Sequence, residues 1–157
     1  MKITKIKTGK AIKISYEEGM DKKTLTSKEM EAPEFYAAFS EMAYEIKEKL
    51  AEELGLEDEM ADEFRERHKL RIDTIAFTYD GDGAVDTYEV WGDHYIEKTI
   101  WYTEVHLQFQ LGSIHSPDAA ALNILKEAVE YIGDKRAQTN LFEKPEDLKD
   151  WKVTKVE

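Results

Sequence analysis

The chain holds no cysteine, which removes disulfide staples, cysteine nucleophiles and thiolate metal sites. Prolines number three and glycines eight, too few for a collagen-like or low-complexity chain. The four histidines are His68, His94, His106 and His115, and no pair has helical metal spacing or a His-Glu-x-x-His arrangement. A long apolar run is also missing. The opening Met1-Lys2-Ile3-Thr4-Lys5-Ile6-Lys7 alternates charge with isoleucine, so neither a signal peptide nor a bilayer span is expected, and the cytoplasm is the expected compartment. No glycine-rich phosphate loop, nucleophile elbow or pair of convergent carboxylates stands out. The expectation is therefore a protein without catalytic activity, cofactor or metal.

What is present is carboxylate and a sufficient core. Hydrophobic residues make up 41% of the 157 residues and aromatics 11%, enough for one ordinary domain. The net charge of -12 is unevenly spread. Residues 1–28 hold eight lysines against three acids, whereas residues 29–66 hold fourteen acids against three bases. Such a chain is not expected to bind nucleic acid directly over a broad face. It could imitate nucleic acid or meet a basic protein surface, or the charge could simply keep the fold soluble.

Residues 2–8 and 10–17 alternate apolar with polar around a turn at Thr8-Gly9-Lys10, and 22–27 reads as a third strand. Their lysines form a solvated face or, less economically, a phosphate patch. Pro33 opens a helix expected over 33–54, with Phe35, Phe39, Met42, Ile46, Leu50 and Leu54 inward and Gly55 as its stop. A shorter helix is expected over 56–67, with Leu56, Met60 and Phe64 inward. Glu57, Asp58, Glu59, Asp62 and Glu63 make its outer side the most acidic surface.

Strands are then expected at 70–79, 85–91 and about 96–111. Gly92-Asp93 is expected to break or turn the chain between the last two. Asp80-Gly81-Asp82-Gly83 reads as a hairpin turn, and it lacks the third position and closing glutamate of a calcium loop. On the polar side of the last run, Glu104, His106 and Gln108 are the best small-ligand candidates, against a plain solvated sheet face. Ser116-Pro117-Asp118 starts a helix with Leu122, Leu125, Val129 and Ile132 on one side, expected to stop at Gly133. The expected fold is α+β: an antiparallel sheet of about six strands, two main helices packed on one face, order βββα-βββα. Residues 1–132 would form the domain and 133–157 a linker and tail, with a helical turn at 145–151 and a short strand at 151–156.

Gln138-Thr139-Asn140-Leu141-Phe142 resembles the peptide by which bacterial polymerases and repair proteins bind the DNA sliding clamp. Gln138, Leu141 and Phe142 match that motif; Thr139 stands where leucine is usual and Asn140 where serine or aspartate is usual. The resemblance implies a glutamine amide at the rim of a groove and two apolar anchors within it. The plainer alternative is that Leu141 and Phe142 cap the protein's own sheet.

The chain as a whole is similar to small bacteriophage proteins. The similarity lies in Lys2-Ile3-Thr4-Lys5-Ile6, in Pro33-Glu34-Phe35 and in Tyr131-Ile132-Gly133-Asp134-Lys135-Arg136-Ala137-Gln138. This similarity implies a phage origin and a replication neighbourhood but no particular activity; together with the clamp-like peptide, the expectation is a phage protein that binds a protein partner in DNA replication in a bacterial cell. An acidic inhibitor of a host defence or DNA-binding protein, and a small-ligand sponge, stay open beside it, as does a homo-oligomer.

Overall fold

Alternation of isoleucine with lysine builds the first strands. β1 (Lys2–Lys7), β2 (Ile12–Glu18) and β3 (Asp21–Ser27) form an antiparallel meander. The computed structural model describes residues 1–9, 11–27, 33–142 and 151–156, with side chains up to Gly133 apart from Pro33. α1 (Pro33–Glu53) and α2 (Asp58–Arg67) follow, then a second meander of β4 (His68–Tyr79), β5 (Val85–Ile96) and β6 (Tyr102–Gln110). α3 (Asp118–Phe142) and β7 (Trp151–Val156) complete the chain.

All seven strands join one antiparallel sheet in the order β6-β5-β4-β1-β2-β3-β7. β1 and β4 are central neighbours, so the two meanders run outward from them in opposite directions. The α+β class and the βββα-βββα plan hold, with α2 inserted between the halves.

The period of two, offset by a register irregularity between Ile3 and Lys5, sends Ile3, Ile6, Ile12, Ile14, Tyr16, Ile75, Phe77, Tyr88 and Val90 to one face, where all are buried. α1 and α3 cover that face. Phe35 of α1 meets Tyr131 of α3 edge to face at 5.2 Å. Each fully buried large side chain contributes about 1.5–3 kcal/mol of transfer free energy.

The helices are rotated from the expected stripes. On α1, Phe35, Phe39, Met42 and Ile46 are buried, but Leu50, and Leu54 just past the helix end, are exposed and Ala51 turns inward instead. On α2, Met60 is exposed and Ala61 is buried. On α3, Ala120, Ala121, Ile124, Ala128 and Ile132 form the buried side, whereas Leu122 and Val129 are exposed. Small alanines let helix backbones approach their neighbours closely. A stripe chosen by side-chain size misses that.

Gly55 does end α1: it lies at φ 72°, and Leu56 N–H donates to Ala51 C=O across it at 3.0 Å. Gly133 does not end α3. It keeps a negative φ, and the helix continues to Phe142 through residues that mostly favour helix, at the usual cost of about 1 kcal/mol for an interior glycine. The backbone of 138–142 is therefore helical rather than a loop. The expected strand at 151–156 forms β7, which pairs with β3, so this part of the expected tail belongs to the sheet. The expected turn over 145–151 lies outside the described residues except at Trp151.

Candidate functional site

The two meanders differ in length, and the candidate site lies where they fail to match. β4 has twelve residues and pairs with β5 along its length, but β1 pairs with it only from Thr74 to Ala76. The ladder ends where Thr8 N–H donates to Asp73 C=O at 2.8 Å, joined by the Thr8 hydroxyl at 3.1 Å. Beyond that point, no described strand pairs with Lys69–Ile72 on the β1 side. A cleft of about 620 Å³ runs along this overhang.

Thr8 and Gly9 close one end of the cleft. Tyr36, Phe39, Ser40 and Ala43 of α1 form one wall, and Lys69 to Asp73 of β4 form the other. Asp93, Tyr95 and Tyr102 complete the lining. The buried Phe39, Ala43 and Ile72 give it an apolar floor, while Tyr36, Tyr95 and Tyr102 are exposed at its rim. Its volume falls within the usual range of small-ligand sites.

One polar group ties the rim together. The Asp93 carboxylate accepts from the Tyr102 hydroxyl at 2.6 Å and from Arg71 Nη2 at 2.7 Å. The Tyr102 hydrogen bond first, and the Arg71 guanidinium next, hold the Asp93 carboxyl below its ordinary range. The same carboxylate pushes Tyr102 and Arg71 upward. Both partners are largely open to water, so the pair orients the rim more than it stabilises the fold.

Gly92 makes the overhang possible. The expected break at Gly92-Asp93 is absent, because β5 runs unbroken through both. Gly92 instead lies opposite the register irregularity between Ile72 and Thr74. A Cβ there would stand 1.8 Å from Arg71 C=O, so only glycine fits against the bulged strand.

Behind the overhang, Phe64, His68 and His94 stack in a row, with ring centroids at 4.3 and 5.2 Å. His68 Nδ1 and His94 Nε2 share a hydrogen bond of 2.9 Å. Burial, then the neighbouring His94, Arg67 and Lys47, lower the His68 pKa. Lys47 reaches across to the carbonyls of Arg65 and His68 at 3.3 Å each, and burial lowers its own pKa.

The sites expected from the sequence fall elsewhere. His106 and Gln108 do come together: both hydrogen-bond Glu89, at 2.9 and 3.0 Å, and His106 stacks on Trp91 at 4.7 Å. Lys5 stands over the other part of that patch, 5.4 Å from the Trp91 ring centre. Glu104 is in register with Asp93 rather than joined to this cluster. All three expected residues are exposed on the sheet face opposite the helices.

Glu57, Asp58, Glu59, Asp62 and Glu63 are exposed on and beside α2. Asp62 pairs with Arg65 at 2.7 Å and Glu63 with Arg67 at 3.8 Å. Arg65 also binds Glu48 of α1. The side chains of Gln138, Leu141 and Phe142 lie outside the described residues.

Asp80 serves its hairpin, accepting the N–H groups of Asp82 and Ala84 at 2.9 and 3.0 Å. Among the described residues, no three His, Asp or Glu side chains converge as a metal site, and no helix is long and apolar enough to cross a membrane.

Sequence reading missed Tyr36, Arg71, Asp93, Tyr95 and Tyr102. Arg71 and Asp93 meet only through strand register. The available signal was the alternation of Lys69, Arg71 and Asp73 with Leu70 and Ile72 at the start of β4. No family model, curated protein or solved structure matches the chain.

Proposed function

We propose that this is a non-enzymatic protein that binds another protein through the β4 cleft. The observation that carries this reading is the cleft's composition: three exposed tyrosines and an oriented arginine around an apolar floor. Tyrosine and arginine dominate the binding energy of protein interfaces, because each brings a large contact area and fixed polar groups. A photo-crosslinking amino acid placed singly at Tyr36 and Tyr95 should trap the same partner in bacterial cells. The same group at Met20, on the distant β2–β3 turn, should trap none. Identical capture from all three positions, or none from any, overturns the reading.

The likeness of Gln138, Leu141 and Phe142 to the clamp-binding motif keeps a bacterial sliding clamp as a candidate partner, and the phage likeness supports a replication setting in the bacterial cytoplasm. Because the backbone there is helical, docking as a free tail requires the last turns of α3 to unwind. Replacing Leu141 and Phe142 by alanine should abolish clamp affinity in calorimetry; unchanged affinity removes this partner.

A second reading rests on the exposed carboxylates of α2. Glu57, Asp58 and Glu59 form no ion pair among the described residues, leaving their charge free for a basic protein surface, as in a nucleic-acid mimic. Reversing these three charges should end such inhibition, and raised salt should weaken it.

A further inference from the structure

We infer that the cleft accepts an extended segment of the partner as an added β-strand on the open edge of β4. This rests on the reading of the cleft as a protein-binding site and names how the partner is held.

Side chains of a strand alternate between faces, so a cleft confined to one face meets every second residue. Here five consecutive residues, Lys69 to Asp73, line the same cleft. A cleft running along the strand's edge meets consecutive residues in this way. Among the described residues, the backbone of Lys69–Ile72 has a strand partner on the β5 side alone. An incoming segment would lie in line with β1, beginning where Thr8 closes the ladder on Asp73, about 4.8 Å from β4. Four residues of edge give it a run of roughly 13 Å.

The chemistry of the segment follows from the two sides it would meet. Alternate side chains turned toward α1 meet Phe39 and Ala43, which suit a small or branched apolar residue. Those turned the other way pass Lys69, whose ammonium has no carboxylate partner among the described residues, while Arg71 is already held by Asp93. An aspartate or glutamate in the segment supplies that missing charge. A second copy of this chain is a poorer occupant, because two bodies of net charge -12 repel one another.

Lys69 and the irregularity between Ile72 and Thr74 also serve a plainer purpose, since charge and irregularity on an open edge discourage aggregation. That purpose alone does not account for a cleft lined by both α1 and the Lys69–Asp73 edge.

The test uses the full chain as bait for a library of linear random peptides, with counter-selection on the Lys69→Glu variant after its fold is confirmed by circular dichroism. Enriched peptides should alternate apolar and polar residues around an acid and bind Lys69→Glu about tenfold more weakly, with Lys69→Ala between the two. On binding, hydrogen exchange should slow across Lys69–Ile72. N-methylation of alternate peptide amides should abolish binding, and methylation of the intervening amides should not. Failure to enrich any such peptide, indifference to N-methylation, unchanged exchange at Lys69–Ile72, or occupation of the edge by a concentration-dependent dimer overturns strand addition. Capture of one partner from Tyr36 and Tyr95 with unchanged exchange would leave the cleft as a binding site while ending this mode of holding it.

Discussion

The two halves of the sheet follow one plan at two scales. The first meander uses strands of six and seven residues, covered at its outer side by β7. The second uses strands of twelve, twelve and nine. If the halves were equal, β1 would pair with all of β4 and leave no edge. The extra length of β4 and β5 supplies the cleft, the bulge that shapes it and the histidine stack behind it. The candidate site is thus a consequence of mismatch between similar units.

The strongest way to break that contrast is Gly92→Ala. Its methyl group has no space beside Arg71 C=O, so the longer half must shift. A loss of about 4 kcal/mol or more is expected, measured by urea unfolding, with hydrogen exchange rising first in β4 and β5.

Met42→Ala should cost about 3 kcal/mol. Met42, on the inner side of α1, is fully buried in the core that both halves share. Protection should therefore fall across both meanders together, in contrast to Gly92→Ala.

A smaller effect should come from acid. The lowered pKa of His68 means that the unfolded chain takes up a proton first as pH falls. The contribution of the stack is complete above the ordinary value of 6.5 and is lost as pH drops from there through the lower folded value. Thermal melts from pH 8 to pH 5 should show this slope, and His68→Gln should flatten it. Exchange in the overhang should respond before exchange in β1–β3.

The smallest effect is expected at the rim. Arg71→Ala should raise the Asp93 pKa toward its ordinary value, though not fully, because the Tyr102 hydrogen bond is the larger cause of its depression. Carboxyl NMR titration measures this, and the melting temperature should barely move. A large stability loss would mean that the pair holds the overhang in place.

These contrasts also mark what was legible beforehand. Ile12, Ile14 and Tyr16 could be placed on one face from alternation alone, since a strand has only two faces, whereas the apolar Val85 and Trp91 at the opposite parity of β5 left the burial of Tyr88 and Val90 to the structure. Ser116-Pro117-Asp118 located the start of α3 because local chemistry decides where a helix begins, and Asp118 also takes the Tyr88 hydroxyl at 2.9 Å. Helix faces were harder to read. Leu50, Met60, Leu122 and Val129 are large and periodic, yet exposed, because the neighbours close enough to pack are met by Ala51, Ala61, Ala121 and Ala128. Gly92 resembled a break because a glycine demanded by a neighbouring strand looks the same, in one dimension, as one demanded by a turn.

By itself the sequence determined the α+β class, the parity of the strands, the hairpin at Asp80 and the acidity of α2, because each depends on residues a few positions apart. Tertiary structure alone decided where β1 stops along β4, how the helices rotate, and that Tyr36, Arg71, Asp93 and Tyr102 share one cleft. Those outcomes depend on register and on helix-to-sheet spacing, which are set by packing between segments far apart in the chain.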